Sequence, residues 1–116
     1  MIRLHDSLIS GNGYKVRLLL THLGIPFERI EYDLDRSETR TSEFLEHINP
    51  NGRIPVLETA GGDFLPESNA ILFYLADGTA FLPEEKFERA RVLQWMFFEQ
   101  YSRITTNHRH LRAWKL

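Results

Sequence analysis

The stretch SLISGNGYKVRLLL, Ser7 to Leu20, sets a hydroxyl and two glycines immediately ahead of an apolar helical pattern. A loop that hands over to a helix this way is suited to anions. The first amides of a helix have no intrahelical acceptor, and they lie at the positive end of the helix dipole. Nucleotide phosphates fit poorly: GNG lacks the third glycine of a dinucleotide fingerprint, and no GK[ST] follows for a triphosphate. What remains is Ser10, with Ser7 nearby, and the amides of Gly11 to Gly13. Such donors suit a thiolate. Lowering a thiol pKa from about 8.5 by two units takes roughly 2.7 kcal/mol, within reach of a charge-assisted hydrogen bond plus a helix terminus. Ser10 and Asn12 serve equally well as plain helix caps.

Two further segments offer chemistry. In RIPVLE, a proline directly precedes a strand, where it is tolerated at the first position or an edge. Trans is the default for Ile54–Pro55; a cis bond would turn the Ile54 backbone outward, offering N–H and C=O to an extended, peptide-like ligand. In LPESNAILFYL, Glu67 and Ser68 stand where a loop becomes a helix. The Ser68 hydroxyl and amide can cap that helix or receive a carboxylate, and Glu67 can accept an ammonium. A site matching both charges recognises the amino-acid end of a molecule. The same pair is also an ordinary N-cap with a dipole-favoured glutamate.

The elements that must position these groups follow from periodicity. Ile2 and Leu4 alternate with polar neighbours as a short strand, and Val16, Leu19, Leu20 and Leu23 mark a helix stopped by Gly24 and Pro26. Ile30, Tyr32 and Leu34 alternate as a second strand, and residues 35–42 read as a polar loop. Phe44, Leu45 and Ile48 mark a short helix ending at Asn49–Pro50. A strand centred on Val56 and Leu57 turns through Gly61–Gly62 into Phe64–Leu65, and Ser68 begins a helix carrying Ile71, Leu72 and Leu75. The order β-α-β-α-β-β-α predicts a small mixed α/β sheet with helices packed on it. From Pro83 the pattern becomes one long helix. Phe87, Ala90, Leu93, Phe97, Tyr101 and Ile104 form an apolar stripe, with Trp95 nearly opposite. If helical throughout, residues 84–116 would span roughly 50 Å, longer than the preceding domain is wide. A helix apolar on two sides requires a second cover, either further helices or another subunit.

Bulk composition narrows the function classes. The chain has 116 residues, 42% of them hydrophobic and 26% charged, with a net charge of −2. That is ordinary for a soluble domain, with no electrostatic footprint for nucleic acid or an anionic membrane. No secretory signal or long apolar run is read, so a cytoplasmic location is expected. With no cysteine, the chain has no disulfide, CxxC redox motif or cysteine nucleophile, and any thiol must come with the substrate.

Taken together, S-G-N-x-Y-K-V-R, N-P-x-G-x-[IV]-P-x-L and [LI]-x-E-S-x-A-I-x-x-Y-L resemble the N-terminal domain of the glutathione transferase family. LQWMFFEQYS is similar to the opening helix of that family's all-helical C-terminal domain. The resemblance implies a thioredoxin-like domain over residues 1–82, followed by an incomplete helical domain over 83–116. It implies glutathione as co-substrate, with no bound cofactor and no metal. By position, Ser10 would donate to the glutathione sulfur, and Arg53 would approach the glycine carboxylate. Ile54, before the family's cis-proline at Pro55, would pair its backbone with the cysteinyl moiety. Glu67 and Ser68 would hold the γ-glutamyl ammonium and carboxylate. The thiol-activating position varies among classes as tyrosine, serine or cysteine; Ser10 is chosen because it directly precedes GNGYKVR, with Ser7 the alternative.

The resulting expectation is a glutathione transferase-like protein that presents a thiolate to a small electrophile, with a homodimer covering the aromatic surface. The alternative is a non-catalytic thioredoxin-like binding module. Other residues read blandly. His108 and His110 lack a carboxylate at ligand spacing. Arg103, Arg109, Arg112 and Lys115 read as a solvated basic tail, and His5 and His22 have no evident catalytic partner.

Overall fold

A computed structural model describes residues 1–107, with side chains through Tyr101. Strand β1 (Ile2–Asp6) leads into helix α1 (Gly11–Leu23) and strand β2 (Phe27–Glu31). A short 3-10 helix at Glu38–Arg40 precedes α2 (Ser42–His47). Strands β3 (Val56–Glu58) and β4 (Phe64–Pro66) are followed by α3 (Ser68–Ala76) and α4 (Lys86–Asn107). The four strands are ordered β2-β1-β3-β4. β1 and β2 are parallel, as a helical crossover requires, and the other two pairings are antiparallel. This is the mixed sheet expected from the sequence, in the thioredoxin-like order.

Local signals act where they were read. Ser10 caps α1, and Gly24 ends it with φ 69°, a left-handed conformation that glycine adopts without steric cost. The β3–β4 turn closes through Thr59, whose amide bonds the Asp63 carbonyl at 2.8 Å and whose hydroxyl accepts the Asp63 amide at 3.0 Å. The second strand is shifted from its expected place. It begins just after Pro26 and ends at Glu31, because its register is set by parallel pairing of Ile2 with Phe27 through Asp6 with Glu31. The Tyr32 amide makes one last bond to the Asp6 carbonyl at 2.8 Å, and Leu34 lies beyond the sheet, exposed.

Alternation across the strands builds two unlike faces. One face holds the core: Leu4 and Leu57 meet Val16 and Leu20 of α1 and Ile71 and Leu75 of α3. Each buried aliphatic side chain contributes about 1.5–3 kcal/mol relative to exposure. The other face carries His5, almost fully buried. Its Nδ1 lies 2.8 Å from the Tyr32 hydroxyl and its Nε2 lies 2.8 Å from Glu58 Oε1. A carboxylate only accepts, so Nε2 carries a proton. Phe44 of α2 packs edge-on against Tyr32, their ring centroids 5.1 Å apart. Burial, followed by nearby Glu43, Glu58 and Glu38, pushes the Tyr32 phenol above its usual pKa.

The chain divides into two compact units, Met1–Leu75 and Ala76 onward. In the second, Arg89 braces the approach to α4, bonding Asp77 at 2.6 Å and the Pro83 carbonyl at 3.3 Å. The helix begins at Lys86 rather than near Pro83, because the Glu85 carboxylate accepts the amides of Phe87 and Glu88 at 2.9 and 3.0 Å. The expected apolar stripe is uncovered: Phe87, Ala90, Leu93, Phe97 and Tyr101 are all exposed. The half-covered line Arg89, Val92, Met96 and Glu99 runs down roughly the opposite side. Trp95 and Phe98 are exposed as well, and they pack edge-on against each other. The side chains of Arg103 and Ile104, and His108, His110, Arg109, Arg112 and Lys115, lie outside the described residues.

Two predictions follow from this packing. A Cβ on Gly13 would lie 1.8 Å from the Asp6 carboxylate, whereas one on Gly61 would meet nothing closer than 3.9 Å. Gly13→Ala is therefore expected to lose about 3 kcal/mol or more of unfolding free energy in urea, and Gly61→Ala less than about 0.5. The two amide bonds hold the Glu85 carboxyl below its ordinary 4.5. A lowered native pKa stabilises above the unfolded value and is lost as pH falls through the native one. The urea midpoint should fall on acidification below 4.5, and by less in Glu85→Gln.

Candidate functional site

The sheet brings three sequence segments to one end. β1 leaves at Asp6 into the Ser7–Ser10 loop; antiparallel β3 enters there after Pro55, and β4 leaves there at Pro66. The registers pair His5 with Val56 and Val56 with Pro66. Ser10, the Arg53–Pro55 segment and Glu67–Ser68 therefore share the end of the sheet where α1 and α3 begin. A direct bond, Lys15 Nζ to Asn69 Oδ1 at 2.8 Å, joins the second turn of α1 to the first turn of α3.

Ser10 has an extended backbone, and its hydroxyl accepts the Gly13 amide at 3.0 Å. That bond uses a lone pair and leaves the hydroxyl proton to be donated elsewhere. The Gly13 amide is thus already engaged, and of the three glycine-loop amides considered, only those of Gly11 and Asn12 head the helix unclaimed by the cap. Ser7 has a different setting. It is buried, its hydroxyl lies 3.4 Å from Glu31 Oε2, and its carbonyl accepts the Ser10 amide at 2.9 Å.

The N-P-x-G-x-I-P segment is stapled by a buried asparagine. Asn49 Nδ2 donates to the Arg53 carbonyl at 3.1 Å, Asn49 Oδ1 accepts the Asn51 amide at 3.0 Å, and its carbonyl accepts the Gly52 amide at 3.0 Å. Gly52 has φ 66°, and a Cβ there would press on Arg40 and the Thr39 carbonyl. Arg53 is exposed, and among the described residues its guanidinium has no ion-pair partner. The Ile54–Pro55 bond is cis. Ile54 is half-buried and Pro55 buried.

At the third segment the structure shifts one role. Ser68 is the first residue of α3, buried, and the capping position falls to Glu67, whose carbonyl accepts the Ile71 amide at 3.0 Å. Glu67 has φ 77°, which is uncommon for a residue with a Cβ, and its side chain is exposed. Strain of this kind costs about 1–3 kcal/mol and persists only where surroundings over-determine it.

Sequence reading missed the charged set under the glycine loop. Asp6 has no exposure and is paired with Arg17 and Arg29, while Arg29 also pairs with Glu31 at 2.7 Å. Asp6 Oδ1 points at the Gly13 backbone, and among the described residues it has no hydrogen-bond partner. Gly13 is therefore glycine because a carboxylate lies against it, not because an anion needs its amide. A signal existed: parallel pairing puts Asp6 beside Glu31 and Leu4 beside Arg29, on the face toward α1. Only the pairing reveals it. Among the described residues, no cluster of three or more histidine, cysteine or carboxylate side chains could hold a metal, and no helix is long and apolar enough to cross a membrane.

The family model for the glutathione S-transferase N-terminal domain matches residues 3–77. This chain belongs to the glutathione transferase family. It is 51% identical to a glutathione S-transferase from Pseudomonas fluorescens Pf-5 of known crystal structure, with a TM-score of 0.84 over 87% of this chain and 50% of that one. It is 40% identical over 95 residues to the disulfide-bond oxidoreductase YfcG of Escherichia coli K12, covering 76% of this chain and 44% of that protein. Its fold also matches Ure2p in complex with glutathione, at 29% identity and a TM-score of 0.77, over 85% of this chain and 44% of that one. The chain spans about half the length of these relatives.

The backbone at Glu67 yields a test independent of any ligand. Glu67→Gly removes the Cβ from a left-handed position, a relief of about 1–2 kcal/mol against roughly 0.5–1 lost to chain entropy. Thermal unfolding should show a small net gain in stability, and Glu67→Val a loss.

Proposed function

We propose that this chain binds glutathione and activates its thiol for attack on an electrophilic substrate. The observation that carries the reading is the Ser10 hydroxyl, which caps α1 with a lone pair and keeps its proton for a sulfur at the positive end of the helix. Ser10 donates to the thiol sulfur and so favours the thiolate, whose proton passes to solvent. Arg53, unpaired among the described residues, meets the glycine carboxylate of the tripeptide. The Ile54 main chain, ahead of Pro55, aligns the cysteinyl moiety. Glu67 accepts the γ-glutamyl ammonium, and the Ser68 hydroxyl and amide take its carboxylate. The glutathione named with the Ure2p relative supports the choice of tripeptide. The protein's contribution is electrostatic and positional; with no cysteine it forms no thiol adduct of its own. Glutathione is a co-substrate here, and no metal or organic cofactor is required.

The electrophile follows from two considerations. A thiolate attacks electrophilic carbon to form a thioether, either expelling a leaving group such as halide or adding to an activated double bond whose carbanion takes a proton from solvent; this is transfer. It also attacks a disulfide sulfur, forming a mixed disulfide and releasing the other half as a thiolate. The name of the YfcG relative favours the sulfur electrophile as a second reading. Either chemistry needs reduced glutathione, which supports a cytoplasmic location. The exposed Phe87, Trp95, Phe97, Phe98 and Tyr101 support a homodimer that covers the aromatic side of α4.

Calorimetric titration with glutathione tests the reading. A chain that ignores millimolar tripeptide would be a binding module of another kind. Ser10→Ala should raise the pKa of the bound thiol by about one to two units and cut turnover at neutral pH by about tenfold or more, with glutathione affinity much less changed. It should also cost about 1 kcal/mol of stability through the lost cap. An unimpaired rate in that variant removes Ser10 from the chemistry.

A further inference from the structure

Among the described residues, the loop that carries Ser10 has no apolar anchor. Leu8 and Ile9 are 63% and 78% exposed, so packing does not hold it. Polar bonds do. Glu31 Oε1 accepts the Leu8 amide at 3.1 Å, and Glu31 Oε2 lies 3.4 Å from both that amide and the Ser7 hydroxyl. Arg17 Nη1 reaches the Ser7 carbonyl at 3.4 Å, the same carbonyl that accepts the Ser10 amide. Glu31 is itself aimed by Arg29, which bonds it at 2.7 Å while also pairing with buried Asp6. The bond to Arg29 holds the Glu31 carboxyl below its ordinary pKa.

The charges of the set cancel. Asp6 and Glu31 oppose Arg17 and Arg29, so the group adds no net charge near a sulfur at Ser10. It grips the loop without adding net negative charge beside a thiolate.

We propose that Glu31 is a positioning residue that fixes the Ser7–Ser10 loop by its bond to the Leu8 amide, and thereby aims the Ser10 hydroxyl at the glutathione sulfur. This rests on the reading that Ser10 activates bound glutathione. It makes a prediction of opposite sign to simple electrostatics. Removing a negative charge near a thiolate lowers the thiol pKa. Releasing the loop raises it, because the hydroxyl no longer donates well.

The test is a pH titration of thiolate absorbance on the full chain saturated with glutathione. In Glu31→Ala the bound thiol pKa should rise by about one unit, a tenfold smaller thiolate ratio below both pKa values. Glu31→Asp, which keeps the charge but falls one methylene short of Leu8, should do the same. Glu31→Gln, whose amide oxygen still accepts the Leu8 amide, should return the value toward wild type. In a Ser10→Ala background the rise from Glu31→Ala should vanish, since the two act as one unit. An unchanged or lowered pKa in Glu31→Ala, or an equal rise in the Ser10→Ala background, overturns the positioning role. If the wild-type chain neither binds glutathione nor lowers its thiol pKa, the functional reading itself falls, and this inference with it.

Discussion

The arrangement turns on a buried carboxylate. Asp6 sits at the last position of β1 with no exposure, and an isolated charge there would carry a desolvation penalty of several kcal/mol. Two arginines offset it, one from α1 and one from β2, so the same ion set ties the first helix to the first two strands. Its second oxygen lies against the backbone of Gly13, which explains the glycine in the first turn of α1. The chain must therefore leave the sheet in the Ser7–Ser10 loop at an angle compatible with that contact. A residue placed to bind nothing from outside decides where the candidate ligand-facing hydroxyl goes.

The remaining parts of the site depend on sheet topology. Because β3 runs antiparallel to β1 and β4 antiparallel to β3, the start of one and the end of the other arrive beside the loop after β1. Asn49 secures the first of these arrivals with bonds to residues two to four positions away. At the second, Glu67 holds a left-handed conformation at the head of α3, which leaves its side chain exposed and Ser68 buried. Rigid elements thus deliver polar groups from distant parts of the chain to one edge. These segments are held by packing on the opposite side of each helix, where Leu4, Leu57, Val16, Leu20 and Ile71 form the core.

The second unit follows another logic. Its helix is capped by a glutamate and braced by Arg89, both local devices, yet it presents aromatic rings outward. Such a helix gains stability from what covers it, and propensity alone supplies little.

How much was legible in the residues divides along contact range. The Ser10 cap, the glycine stop at Gly24, the Gly61–Gly62 turn and the order of elements depend on bonds within a few positions, and composition and spacing were enough to determine them, whereas the caps of α3 and α4 fell to Glu67 and Glu85. So were the three polar segments, because each is a local handover between elements. What only the tertiary structure decided involves partners far apart in the chain: Asp6 with Arg29, the loop amide of Leu8 with Glu31, His5 with Glu58, and Lys15 with Asn69. The early shift of β2 and the exposed stripe of α4 belong here as well. A strand takes its register from its neighbour, and a helix face is buried only when something is there to bury it; neither partner is written into the periodicity of the segment itself.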